Sequence, residues 1–202
     1  MIAIIDYHVG NLGSVTNACK RQGMDVVVTN DPEVIRQADG IILPGVGAFP
    51  AAMSNLEACH LVPVLNEVKD KGTPILGICI GMQLLFEEGS ENGHTKGLGF
   101  LKGSVDKMEV DAKLPHMGWN QLIIKQSHPL LKYVEEGDYV YFVHSYSAHC
   151  PEDQIGAYVN YGGKEITAFV YKDNVMGTQF HPEKSGEIGK KILRAFKEMV
   201  LC

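Results

Sequence analysis

The stretch "TPILGICIGMQLLF", residues 73–86, runs from one apolar segment through a cysteine into another, with Gly77 two residues before Cys79 and Gly81 two after. Its first half, "PILGI" (74–78), reads as a buried strand, and a helix is predicted directly after the cysteine over "GMQLLFEEG" (81–89). A buried structural cysteine needs no such flanks. A cysteine presented on a sharp strand-to-helix turn does, because side chains there collide with neighbouring backbone. The G-x-C-x-G pattern therefore reads as a nucleophile elbow with sulfur in place of the serine oxygen. The helix N-terminus favours the thiolate, and the amide of Ile80, the residue after the nucleophile, is positioned to bind an oxyanion.

Upstream of this corner, strand and helix signals alternate. "IAIIDY" (2–7), "DVVVT" (25–29) and "GIILPG" (40–45) are strands, separated by helices over "LGSVTNACKRQG" (12–23) and "DPEVIRQA" (31–38). Asp31 caps the second helix and Pro32 stands just inside it. A further helical region spans 47–70, interrupted near Pro63. Buried strands separated by helices imply an α/β fold, an open, mostly parallel sheet with helices on both faces. Downstream the character changes. "FLKGSVDKM", "MGWNQLIIK", "YVYFVHSYSAH", "IGAYVNYGG", "ITAFVYKDN" and "VMGTQFHP" predict additional strands, antiparallel to one another, before an amphipathic helix over 186–200. The whole span 1–202 is expected to form a single domain.

Composition removes several classes of function. The 202 residues carry a net charge of −6 and no long basic run, so nucleic acid is not an expected partner. The start "MIAIIDYHVG" lacks a charged n-region and a small-residue cleavage site, and no apolar run approaches the roughly 18 residues of a membrane span. Five cysteines are an odd count without C-x-x-C spacing, which argues against a disulfide framework or zinc site and for a reducing, cytoplasmic setting. No metal and no cofactor is expected. Cys19 and Cys59 lie on helical patterns, Cys150 precedes Pro151 and Cys202 is the last residue; none shares the frame around Cys79.

A thiolate nucleophile needs a base and a group to orient it. Among eight histidines, His181 in "GTQFHPE" follows a strand directly, with Glu183 two residues on and Pro182 stiffening the link. His144 and His149 in "FVHSYSAH" compete for the role but lack an equally placed carboxylate. A second oxyanion donor is available from the turn "LPGVGAF" (43–49), at Val46 or Gly47.

Taken together and in this order, "GICIGMQLLF", "PGVGAF" and "GTQFHPEKSG" resemble the class I (triad) glutamine amidotransferases. The resemblance implies a flavodoxin-like core and hydrolysis of L-glutamine to glutamate and ammonia through a cysteine thioester. It assigns the triad to Cys79, His181 and Glu183, and a role in holding glutamine to Gln83. Within that family, "IIDYHVGNLGSV" (4–15), "LPHMGWN" (114–120) and "YFVHSY" (141–146) are similar to the glutaminase subunits of imidazole glycerol phosphate synthase, in histidine biosynthesis. That implies a heterodimer with a (β/α)₈ cyclase, which takes up the ammonia and makes imidazole glycerol phosphate and an aminoimidazole carboxamide nucleotide. Asn11, Met117, Trp119 and Asn120 become interface residues by this resemblance. His8 and Gly13 depart from relatives that carry glycine and arginine there, which puts this loop's contacts in question. Read from residue type alone, Trp119 belongs in a core more readily than at an interface; the resemblance reverses that preference.

Three rival readings compete. "IIDYHVGNLGS" comes near a dinucleotide fingerprint, but His8 replaces its first glycine and no acidic residue closes the second strand. A different thiol hydrolase on a similar sheet would keep the elbow, though "GMQ" and the carboxylate in "HPE" favour a glutaminase. A binding subunit without catalysis would have no use for an intact Cys79–His181–Glu183 set.

Overall fold

The computed structural model describes residues 1–201, and Cys202 lies outside the described residues. In chain order its strands are β1 (Ile2–Ile5), β2 (Val26–Thr29), β3 (Gly40–Leu43), β4 (Ile75–Ile78), β5 (Phe86–Gly89), β6 (Thr95–Lys96) and β7 (Leu101–Lys107). They continue with β8 (His116–Gln121), β9 (Ile123–Ile124), β10 (Tyr139–His144), β11 (Tyr146–His149), β12 (Ile155–Tyr161), β13 (Lys164–Lys172) and β14 (Val175–Thr178). The helices are α1 (Leu12–Arg21), α2 (Pro32–Gln37), α3 (Phe49–Ala58), α4 (Leu61–Asp70), α5 (Ile80–Gln83) and α6 (Gly186–Val200).

The main sheet has eight strands in the order β2-β1-β3-β4-β14-β13-β12-β9. Its pairings from β2 through β14 are parallel, and those from β14 to β9 are antiparallel. All residues of β1, β3, β4 and β14 are buried, as strands covered on both faces must be. The chain steps outward from β1 to β2, then crosses back over β1 to reach β3. Right-handed crossovers at that reversal put α1 on one face and α2, α3 and α4 on the other. Accordingly α1 packs with α6, while α4 packs with both α2 and α3. The carboxyl ends of β1, β3, β4 and β14 share one edge, where open α/β sheets place their sites. Two smaller sheets flank this core, β10-β8 and β11-β7-β5-β6. No helix among the described residues is long and apolar enough to cross a membrane.

Local chemistry explains the elements that match expectation. The Asp31 carboxylate accepts from the Glu33 amide at 2.9 Å and caps α2, with Pro32 in its first turn. Elsewhere the structure departs from the sequence reading. The 47–70 region breaks at His60, in the left-handed region at φ 56°, and not at Pro63. Pro63 stands in the first turn of α4, where its missing N–H removes no helical hydrogen bond. "MGWNQLIIK" divides at Leu122 into β8 and β9, and "YVYFVHSYSAH" divides at Ser145 into strands of two different sheets.

The predicted helix over 81–89 is a single turn, α5, followed by strand β5. The carbonyls of Leu84, Leu85 and Phe86 accept from Leu98, Phe100, Leu101 and Gly99, so partners distant in sequence take the groups a helix would use. β5 then pairs in parallel with β7.

Gly81 is the tightest point of this corner. A Cβ there would lie 1.7 Å from the Leu43 carbonyl oxygen, which is backbone and cannot swing aside. Gly81→Ala is expected to cost about 3 kcal/mol or more, by analogy with severe overpacking, and to lower the urea midpoint accordingly. A midpoint unchanged within error would show that the corner is not close-packed.

Candidate active site

β4 and β14 lie in register, with Ile78 beside Thr178, and the next residue of each chain segment leaves the sheet at the same edge. The Cys79 amide donates to the Thr178 carbonyl at 2.8 Å, and Gln179 Nε2 lies 3.8 Å from the Cys79 sulfur. Cys79 has φ 55° and ψ −111°, a conformation that a non-glycine residue holds only at a cost on the order of 1–3 kcal/mol. The close approach of Gly77 to the Gly81 carbonyl, where a Cβ would be 2.6 Å away, lets the turn close this sharply. Because α5 has only four residues, its dipole is a weaker source of thiolate stabilisation than the sequence reading supposed.

His181 is the ionisable side chain beside this sulfur. Its Nδ1 hydrogen bonds to Glu183 Oε1 at 2.7 Å, and the two side chains are 0% and 1% exposed. The ring is carried on a stitched turn. His181 N–H donates to the Tyr141 carbonyl, while the Ser185 hydroxyl donates to the His181 carbonyl and accepts from Tyr141 N–H. Burial opposes charge on His181, but hydrogen bonding and attraction to the Cys79 sulfur and the Glu183 carboxylate outweigh it and push its pKa up to about 9. Nε2 is buried, with no fully formed hydrogen bond to it among the described residues. The imidazole is therefore oriented from behind and free in front.

Cys79, Ile80, Gln83, His181, Val46 and Gly47 line one cavity of about 330 Å³, with Glu91, Pro115 and the 143–146 segment completing the wall. That volume suits a small metabolite. Buried Gln83 donates through Nε2 to Gln179 Oε1 at 3.0 Å and to the Tyr146 carbonyl at 3.3 Å, leaving its own Oε1 unpartnered. Glu91, which the sequence reading missed, is the one acidic side chain on the wall, placed there as its Oε2 accepts from Phe49 N–H at 2.8 Å. No local motif marks it. Among the described residues no three His, Cys, Asp or Glu side chains are grouped to hold a metal ion.

Neither alternative histidine is placed as a base. His149 is exposed and absent from the cavity wall. His144 is on the wall, but its Nδ1 donates to the Tyr146 carbonyl at 2.8 Å, and its Nε2 lies 2.9 Å from His116 Nδ1. His116 stacks between Phe142 and Tyr161, and Asn120 Nδ2 is 3.4 Å from its Nε2. With Asn120 donating, each histidine is a neutral relay of one donor and one acceptor. Burial holds both neutral, pushing His116 down to about 4 and His144 to about 3. Of the four residues expected at an interface, Met117 and Trp119 are 61% and 54% exposed on β8. Asn120 is half-buried at the outer end of this histidine relay. Asn11 is half-buried too, and its carboxamide is turned inward to Glu183.

The profile of class I glutamine amidotransferases matches residues 3–199. This chain belongs to that family. It is 54% identical over 199 residues to the imidazole glycerol phosphate synthase subunit HisH of Lactococcus lactis subsp. lactis (strain IL1403), covering 98% of each chain. It is 52% identical over 200 residues to the HisH subunit of Bacillus cereus (strain G9842), covering 99% of this chain and 95% of that one. The PurLQS structure from Thermotoga maritima superposes with a TM-score of 0.75 at 20% identity, covering 98% of this chain and 97% of that one, a likeness of fold.

The neutral histidine pair is expected to give this amidotransferase an acid limit. Unfolded histidines take up protons near pH 6.5, before the folded pair does. Stability is therefore present above that pH and lost as pH falls toward 4, by up to about 1.4 kcal/mol per pH unit for each histidine. His116→Phe keeps the stack on Phe142 and Tyr161 and is expected to flatten the slope of unfolding free energy between pH 6.5 and 4.5. An unchanged slope in urea titrations would mean that His116 is not part of that limit.

Proposed function

We propose that this chain is the glutamine-hydrolysing subunit of imidazole glycerol phosphate synthase, working in the cytoplasm as one amidotransferase domain. The observation that carries the reading is the strained Cys79 corner facing a His181 whose Nδ1 is held by buried Glu183. Relatives of that function match across nearly the whole chain.

In this reading glutamine enters the cavity with its α-ammonium toward Glu91 and the unpartnered Gln83 Oε1. The Cys79 thiolate attacks the side-chain amide carbon, and the developing oxyanion is met by the Ile80 amide and a donor from Val46–Gly47. His181 Nε2 then passes a proton to the departing nitrogen, which leaves as ammonia, and a γ-glutamyl thioester remains on sulfur. Water, deprotonated by the same nitrogen, adds to the thioester; glutamate departs and the thiolate re-forms. Glu183 keeps Nδ1–H in place throughout.

The ammonia goes to a cyclase subunit seated on the exposed Met117 and Trp119 face of β8, which makes imidazole glycerol phosphate and the aminoimidazole carboxamide nucleotide. Control of wasteful hydrolysis lies in the 44–47 turn. Its first part is fixed, since the Tyr7 hydroxyl donates to the Pro44 carbonyl at 2.5 Å and a Cβ on Gly45 would meet Tyr7, Ile80 and Gly81 within 3.1 Å. Its end is free: Gly47, at φ 98°, has open space where a Cβ would go. The Val46–Gly47 peptide is thus the bistable element that partner binding turns toward the oxyanion.

Cys79→Ala and Cys79→Ser are expected to abolish glutamine hydrolysis, and a chloromethyl ketone analogue of glutamine to label Cys79 in the unmutated chain by mass spectrometry. Labelling of Cys19 or Cys150 with Cys79 untouched would sink the assignment. Adding the cyclase subunit and its nucleotide acceptor should raise hydrolysis at least about tenfold, or roughly 1.4 kcal/mol of barrier. Trp119→Ala should diminish that gain more than it alters basal turnover. A chain already at its maximal rate alone, indifferent to the partner, would overturn the subunit reading.

A further inference from the structure

Asn11 is the N-cap residue of α1, yet its side chain makes no capping hydrogen bond to that helix. Asparagine is among the strongest N-cap residues, and forgoing the cap commonly costs on the order of 1 kcal/mol. Here the backbone of Asn11 is left-handed, at φ 77° and ψ 5°, and the carboxamide Nδ2 donates instead to Glu183 Oε1 at 2.5 Å. The same oxygen accepts from His181 Nδ1, while Glu183 Oε2 is buried with no partner. Two donors therefore serve this buried carboxylate among the described residues, and one of them lies 172 positions away in the chain.

We propose that Asn11 is a positioning residue of the triad, holding Glu183 Oε1 in the orientation from which it aligns His181. The inference rests on the triad reading above and adds to it. A buried carboxylate stays ionised and fixed through the hydrogen bonds it accepts. If His181 were the sole donor, the carboxylate could rotate about its own axis and the imidazole would lose its fixed direction toward sulfur.

The loop that presents Asn11 leaves β1 at the same sheet edge as the rest of the site. It touches the oxyanion turn as well, for Tyr7 binds the Pro44 carbonyl and the Cβ position of Gly10 lies 3.3 Å from a Val46 methyl. His8 and Gly10 are exposed between these anchors. A short surface loop thus bears on both halves of the site.

Asn11→Gly and Asn11→Asp separate the hydrogen bond from the backbone, because both residues tolerate the left-handed conformation while neither ionised Asp nor Gly donates. In the full chain assayed with its cyclase subunit, Asn11→Gly should lower kcat at least about tenfold, as expected for a hydrogen bond to a charged group. KM for glutamine should stay within about twofold, since Asn11 does not line the cavity. Asn11→Asp should be worse than Asn11→Gly at pH 8, where its carboxylate repels Glu183. Its rate relative to the unmutated chain should recover as pH falls toward 5, because a protonated Asp donates as the amide does. The same ratio for Asn11→Gly should stay flat.

The other titratable groups around this oxygen are His181 and Cys79 of the site and Cys19 of α1; the loop itself also carries Asp6 and His8, where the His8 amide donates to the Asp6 carboxylate. Cys19, pushed up to about 12 by burial and then by the charge of Glu183, is a neutral thiol throughout that range. Both variants within twofold of the unmutated rate would overturn the proposal. So would equal losses with parallel pH profiles, or a change confined to KM. An unmutated chain that neither hydrolyses glutamine nor is labelled at Cys79 would instead bring down the triad reading beneath it.

Discussion

The site depends on the parallel pairing of β4 with β14. The two strands are about half the chain apart in sequence, yet their register sets Ile78 beside Thr178. Cys79 and Gln179 consequently leave the sheet side by side, and His181 follows two residues later. A slip of one residue would turn alternate side chains to the opposite face and carry the histidine away from the sulfur. The pairing is secured by contacts too close for any side chain: Gly77 against Gly81, Gly81 against Leu43, and Gly177 against Met82. The glycines at this corner let β3, β4, α5 and β14 approach closely enough for the strained cysteine to be held.

Two histidines on the same cavity wall show how environment, and not residue type, decides charge. His181 is buried beside a carboxylate and a sulfur and is pushed up to about 9. His144 is buried against a carbonyl and a neutral imidazole and is pushed down to about 3. Their ring nitrogens are correspondingly different. His144 has both engaged, whereas His181 has one engaged and one turned to the cavity without a formed hydrogen bond. Burial without an anionic partner favours the neutral form of a histidine; burial beside one favours the charged form.

The polar groups behind the wall form a connected path. From Asn120 it passes through His116 and His144 to the Tyr146 carbonyl, which also accepts from Gln83; Gln83 donates to Gln179, whose Nε2 faces the sulfur. Its outer end lies on β8, which exposes Met117 and Trp119. A chain of polar contacts thus runs from the face proposed for the partner to the cavity proposed for glutamine, with Gln83 Oε1 left open along it.

Features encoded over a few consecutive residues were legible before the structure. The G-x-C-x-G corner, the His-Pro-Glu turn, the Asp-Pro start of α2 and the apolar period of α6 are each written in neighbouring residues, and each stands where the residues placed it. The parallel core was legible too, because strands buried on both faces are apolar throughout. Tertiary structure alone decided β5, since an apolar run followed by two glutamates suits a helix until distant amides claim its carbonyls. It alone turned Asn11 from its own helix to Glu183, put Glu91 on the cavity wall by way of Phe49, and set His116 against His144. Such pairs join residues far apart in the chain, and contact at that separation leaves no periodicity in either segment.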